Sequence, residues 1–164
     1  MTDPLVVLAF YSLAGLLVGS ALAVVLLPRI VHAALMLVVF FIGTAGLFVL
    51  LQAEFLAAVQ VLIYAGAITV LILFAIMLTQ QAQAPGSNAF NRQRLLAAPV
   101  AAGVLGALVG GLGGTAWPAP PPVAEDLTPR LGSLLLREYL LPFEVASVLL
   151  LVALVGAIVV ARER

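Results

Sequence analysis

Apolar residues gather into five long runs along this chain, and polar residues fill the gaps between them. About 20 successive apolar residues carry a helix across hydrocarbon. By that measure, membrane spans are predicted over residues 4–27, 30–51, 55–79, 95–114 and 142–161. The first stops at Pro28-Arg29. After the third comes a hydrophilic loop at 80–94, QQAQAPGSNAFNRQR, too polar to insert. The stretch 115–141 opens with TAWPAPPPVAEDLTPRLGS, whose prolines predict extended or irregular chain. Within it, Leu131–Leu141 is ambiguous: Leu134, Leu135 and Leu136 lie beside Arg137 and Glu138, a pattern that suits a short interfacial helix. The N-terminal MTDPLVVLAF lacks a basic leader, carries Asp3 and runs on too long for a signal sequence, so it reads as a retained first span. The predicted fold is an all-α integral membrane protein, one membrane domain over 1–164, with five transmembrane helices.

Composition strengthens this picture. The 164 residues are 65% hydrophobic and 9% charged, against roughly half and a quarter in soluble domains. No soluble core of this size hides so much apolar surface. Seven arginines balance seven acids, and there is no lysine, so no basic surface for nucleic acid exists. With no cysteine, disulfides, thiolate catalysis and cysteine-held iron–sulfur clusters are excluded, and a single histidine excludes a bis-histidine haem within the chain. Five spans place Arg29, Arg92, Arg94, Arg162 and Arg164 on one side and only Arg130 and Arg137 on the other. Positive residues favour the cytoplasm, which predicts the N-terminus outside and the C-terminus cytoplasmic.

No phosphate-binding loop, zinc motif or nucleophile elbow is present, and no internal repeat supports an inverted-repeat transporter built from this chain alone. Charges sit near span ends. A pump acting alone would place a carboxylate, lysine or histidine deep within its bundle. The chain therefore works beside subunits that carry such groups.

The third run, AEFLAAVQVLIYAGAITVLILFAIML, contains the chemistry that remains. Gln60 and Tyr64 are four apart and share one face of a regular helix. Their polar groups need partners in an apolar medium, either neighbouring helices or a line of water. Gly66 is followed by β-branched Ile68, Thr69 and Val70. One reading of Gly66 is close helix contact. The other is a π-bulge, one widened turn that turns everything after it by about 100°. Spacing alone leaves both open. Elsewhere, Pro142 suits the first position of the last helix and puts Glu144 in its first turn, where the dipole favours a carboxylate. The alternative for Glu144 is proton exchange, and Glu54, just ahead of the third span, has the same two readings. His32 reads as interfacial and structural, and Arg29 as a headgroup anchor. Gly106, Gly110 and Gly114, and likewise Gly15 and Gly19, lie at four-residue spacing and predict tight helix contacts.

Three stretches resemble a known family. EFLAAVQVLIYAGAITVLILFAIML is similar to the third membrane helix of the J subunit of proton-pumping NADH:quinone oxidoreductase, respiratory complex I, the counterpart of the sixth mitochondrial ND subunit. VHAALMLVVFFIGTAGLFVLL resembles its second helix and PFEVASVLLLVALVGAIVVARE its last. The likeness covers about 1–80 and 139–164 and carries nothing over for 81–138. It implies a bacterial plasma (inner) membrane protein, multi-pass, without catalytic residues or cofactor of its own. FMN, iron–sulfur clusters and quinone would sit in the wider complex. Partners would be the quinone-site, K-type and antiporter-like subunits of the membrane arm, within the lipid membrane. The resemblance further implies a π-bulge in helix three that converts to α-helix and gates a proton and water path. Tyr64 and Gly66 would be its hinge residues and Val70, Leu71 and the following side chains its gate, with Ala67, Ile68 and Gln60 also on the gating and proton path. Two other readings stand: a membrane subunit of a related hydrogenase or multisubunit antiporter, and a small stand-alone transporter or channel.

Overall fold

The computed structural model describes residues 3–79, 94–116 and 127–162, and all its regular structure is helical. Helix α1 spans Pro4–Leu26 and α2 spans Ile30–Leu50. Helix α3 runs over Glu54–Thr79. Beyond it come α4, Arg94–Gly113, α5, Leu127–Leu136, and α6, Leu140–Ala161. Helices α1, α2, α3 and α6 are each long and apolar enough to cross a membrane. The expected fourth span forms α4, 20 residues long. Nearly all of the loop expected at 80–94 lies outside the described residues.

The helix ends follow from local chemistry. Pro4 occupies the first turn of α1, where its missing N–H costs no hydrogen bond. The N–H groups of Val6 and Val7 donate to the Asp3 carbonyl at 3.0 and 3.2 Å. Pro28 forces Leu27 to be extended, with φ −70° and ψ 127°, and so ends α1. The α2–α3 turn is a Schellman motif: Gln52 N–H donates to Val49 O at 2.9 Å and Ala53 N–H to Phe48 O at 2.9 Å. Its left-handed position, φ 60°, is held by Gln52 where glycine is usual.

Two glycines of α2 set the α1–α2 contact. A Cβ on Gly43 would lie 2.6 Å from Leu16 Cδ2 and 3.1 Å from Leu17 Cδ2, and one on Gly46 would lie 2.8 Å from Leu13 Cδ2. The leucines of α1 therefore seat in a notch that only hydrogen side chains leave open. In hydrocarbon there is no water to expel, so such close backbone approach is a main source of helix affinity. The small-residue faces expected from spacing are not used in this way. Among the described residues, a Cβ on Gly15, Gly19, Gly106 or Gly110 would meet nothing within 4 Å, and one on Gly114 would meet only the Gly110 carbonyl.

Helix α2 is the centre of the described bundle, packing against α1 on one side and against the whole length of α3 on the other. The first turns of α3 also touch α5. Helices α4 and α6 pack against none of these three, and their valines and leucines stand exposed. Two boundaries differ from expectation. The short helix ahead of the last span is Leu127–Leu136, four residues earlier than predicted at its start, because Leu127 shares an apolar stripe with Leu131 and Leu134, opposite Pro129 and Gly132. The last helix begins at Leu140, not Pro142, capped by Tyr139, whose carbonyl accepts from Phe143 N–H at 3.0 Å. Pro142 still lies among the first positions, whose N–H groups have no helical partner.

Two stability outcomes are expected. Gln52→Gly relieves a left-handed side-chain-bearing residue and should raise the thermal midpoint of the detergent-solubilised protein, a gain of about 1 kcal/mol; an unchanged or lowered midpoint would contradict this cap assignment. Gly43→Leu overfills the notch against Leu16 and Leu17 and should cost about 2 kcal/mol, seen as a lowered midpoint in the same melt; a wild-type midpoint would mean the contact is not tight.

Candidate functional site

Three hydrogen-bonding regimes succeed one another along α3. Glu54–Val59 is α-helical, Gln60–Ile68 is π-helical over nine residues, and Thr69–Thr79 is α-helical again. A π turn bonds each N–H to the carbonyl five residues back instead of four, and is rare because it widens the helix. The widened region was expected as a single turn at Gly66; it extends instead from Gln60 to Ile68. Gly66 suits it physically. A Cβ there would stand 3.3 Å from the Val61 carbonyl oxygen, a tight fit against the backbone of the π turn itself.

The end of the π segment is fixed by one residue. The backbone N–H of Thr69 is directed both at Tyr64 O, five back, and at Gly66 O, three back. Its side-chain hydroxyl also donates to Tyr64 O, at 2.6 Å. Thr69 is wholly buried, 0% exposed. Other hydroxyls on the described helices bond three or four residues back: Thr44 to Phe40 O, Thr79 to Ala75 O, Ser20 to Leu17 O. Thr69 alone among the described residues reaches five back.

The residues predicted for this site divide between two surroundings. Gln60 is buried, 8% exposed, on the side of α3 that packs against α2. Tyr64 is 43% exposed, and its ring lies 5.5 Å from the Phe41 ring of α2 at an interplanar angle of 57°. Such a tilted aromatic pair is worth about 1 kcal/mol beyond its area. Neither side chain makes a hydrogen bond among the described residues. Gly66 is half-buried, whereas Ala67, Ile68 and Val70 are exposed. After Thr69, the residues turned inward are Ile72, Leu73 and Ile76, a helical stripe facing α2, while Val70, Leu71, Phe74, Met77 and Leu78 face outward.

The carboxylates stand away from this arrangement. Glu54 is the first residue of α3, in its first turn, and makes no side-chain cap bond. Glu144 falls in the second turn of α6, since that helix begins at Leu140; the first-turn position expected from Pro142 is not the one it holds. It is exposed, and α6 does not pack against α3. His32 is exposed near the start of α2. Among the described residues no three acidic or histidine side chains are grouped to hold a metal ion.

Sequence reasoning missed Thr69 as a polar group and Phe41 altogether. Thr69 was visible only as one of three stiff side chains. Its hydroxyl contact spans five residues, a spacing at which an α-helical search finds nothing.

Comparison with known proteins bears on the whole chain. Residues 20–160 match the family model described as NADH-ubiquinone/plastoquinone oxidoreductase chain 6. The chain is 50% identical, over 91% of its length and 88% of the relative's, to the chloroplastic NAD(P)H-quinone oxidoreductase subunit 6 of Nephroselmis olivacea. It is 46% identical to the chromatophore subunit 6 of Paulinella chromatophora, over 95% of this chain and 78% of that one. It is also 40% identical to F(420)H(2) dehydrogenase subunit J of Methanosarcina mazei, over 93% and 89% of the two chains. Long apolar helices and these likenesses agree: the chain belongs to the chain 6 family of NADH-quinone oxidoreductases, as a membrane subunit of a complex I-type assembly.

Proposed function

We propose that this subunit couples quinone reduction to proton translocation by switching the Gln60–Ile68 segment of α3 between π and α forms. The observation that carries the reading is the nine-residue π segment itself, in a chain whose long helices bear no deep charge. A π segment is costly relative to α-helix, and such segments concentrate at functional sites. Conversion to α would turn Thr69–Thr79 by about 100° for each extra residue taken up. The inward stripe of Thr69, Ile72, Leu73 and Ile76 would then give way to a neighbouring one. Apolar side chains in a narrow passage gate it by admitting or excluding water. Val70 and Leu71 are the first gate residues, Gly66 the hinge, and the Gln60 amide and Tyr64 hydroxyl the groups that water would meet. Phe41 gives the Tyr64 ring a fixed seat on α2.

In this reading five helices cross the membrane, α4 among them, with the N-terminus outside and the C-terminus cytoplasmic. The uncovered apolar faces of α4 and α6 support burial against partner helices, of the K-type, quinone-site and antiporter-like subunits. FMN, iron–sulfur clusters and quinone belong to those other parts of the complex. The electron donor is NADH or a related carrier: the likeness to a subunit of an F(420)H(2) dehydrogenase favours keeping a second donor in view. The membrane is a plasma membrane or a thylakoid, a pair of locations supported by similarity to subunits from cyanobacteria and photosynthetic organelles.

The hinge is tested by Gly66→Val. The added side chain crowds the Val61 carbonyl, which lies 3.3 Å from where its Cβ would stand. Protons pumped per quinone reduced, read as dye quenching in inverted vesicles, should fall several-fold while the complex still assembles on native gels. Wild-type pumping in an assembled Gly66→Val complex would overturn the hinge. Glu144→Gln should leave pumping within about twofold of wild type, because the carboxylate lies apart from the π segment and a surface charge of this kind contributes little. Near-complete loss of pumping would instead assign Glu144 to proton exchange.

A further inference from the structure

We infer that the Thr69 hydroxyl is the latch that holds α3 in its π form. This inference rests on the reading of Gln60–Ile68 as a switchable segment and names the side chain that sets its balance. Where a π segment returns to α-helix, the ladder changes step and the carbonyls at the joint must share too few N–H donors. Here the Thr69 N–H is divided between Tyr64 O and Gly66 O, so neither carbonyl has that donor to itself. A carbonyl in the membrane interior has no bulk water to make up the difference. The Thr69 hydroxyl supplies it, at 2.6 Å.

In the α form the count changes. Every interior carbonyl then receives a full N–H from four residues on, and the hydroxyl would add a second bond to one already satisfied. Thr44 and Thr79 illustrate that redundant pattern, each bonding four residues back in regular helix at 3.0 and 2.8 Å. The hydroxyl therefore stabilises the π form more than the α form. Burial sharpens the preference: at 0% exposure in the π form, Thr69 has no solvent to bond in place of Tyr64 O. Its position facing α2 also means that release of the latch is felt directly at the interface that the rotation must repack. Thr69 is thus a positioning residue, acting on the gate through the backbone of Tyr64.

The test is the register of residues 60–68 in the intact, membrane-extracted complex carrying Thr69→Val, Thr69→Ala or Thr69→Ser, resolved by electron cryomicroscopy with particle classification. Thr69→Val keeps the shape and removes the hydroxyl. The ratio of π to α particles should fall about fivefold, the worth of one net hydrogen bond, and Thr69→Ser should restore it. An unchanged ratio in Thr69→Val overturns the latch. Should Thr69→Val not assemble, the comparison passes to Thr69→Ala against Thr69→Ser, and equal ratios in those two overturn it as well. Proton pumping measured on the same preparations separates the two readings. A shifted register with wild-type pumping upholds the latch and removes the gate; an unshifted register removes the latch and leaves the gate to the Gly66 test.

Discussion

Backbone hydrogen bonding in hydrocarbon has no second partner to turn to, and the rest of this structure follows from how each helix meets that demand. Helices α1 and α2 meet it with a regular ladder, and their hydroxyls fold back on carbonyls three or four residues behind. Helix α3 departs from the ladder for nine residues and recruits a buried side chain, Thr69, to close the gap. A departure of this kind survives only where its surroundings hold it. Here they are the α2 surface, the Phe41 ring against Tyr64, and a residue without a side chain at Gly66.

Helix α2 is packed on two sides. Helix α1 is seated on α2 by Leu13, Leu16 and Leu17 against Gly43 and Gly46, a contact with little room to slide. Helix α3 meets the opposite side of α2 along its whole length, with Ala57, Gln60 and Thr69 buried. The apolar outward face of α3, from Val70 to Leu78, is then free to meet a partner subunit, which is how a local change of register would be passed on.

Much of the fold was legible in the sequence because membrane helices announce themselves by length and hydropathy. The ends of α1, α2 and α3 fall within a residue of the apolar runs, since Pro28 and the polar turn at Gln52 interrupt them decisively. The start of α6 was misread because Pro142 is compatible with several early helix positions, and Leu140 and Leu141 gave no signal against helix. The tight α1–α2 contact gave no signal in spacing by four, because it uses Gly43 and Gly46, spaced by three. At the candidate site, Tyr64 and Gly66 were found as a polar ring and a glycine inside an apolar run, and the resemblance added weight to their π-bulge reading. Thr69 and Phe41 were not, for two physical reasons: a five-residue contact exists only once the helix is π-helical, and a ring pair between helices depends on their register.

The central claim is that one backbone segment changes its hydrogen-bonding step during turnover. It is tested most directly by resolving residues 60–68 in the intact wild-type complex, once at rest and once while electrons flow to quinone. The account predicts that the Thr69 N–H and hydroxyl lie on the Tyr64 carbonyl in one population and that α-type bonding, with Thr69–Thr79 turned by about 100°, appears in another. A single π-helical register, unchanged between rest and turnover, would contradict it.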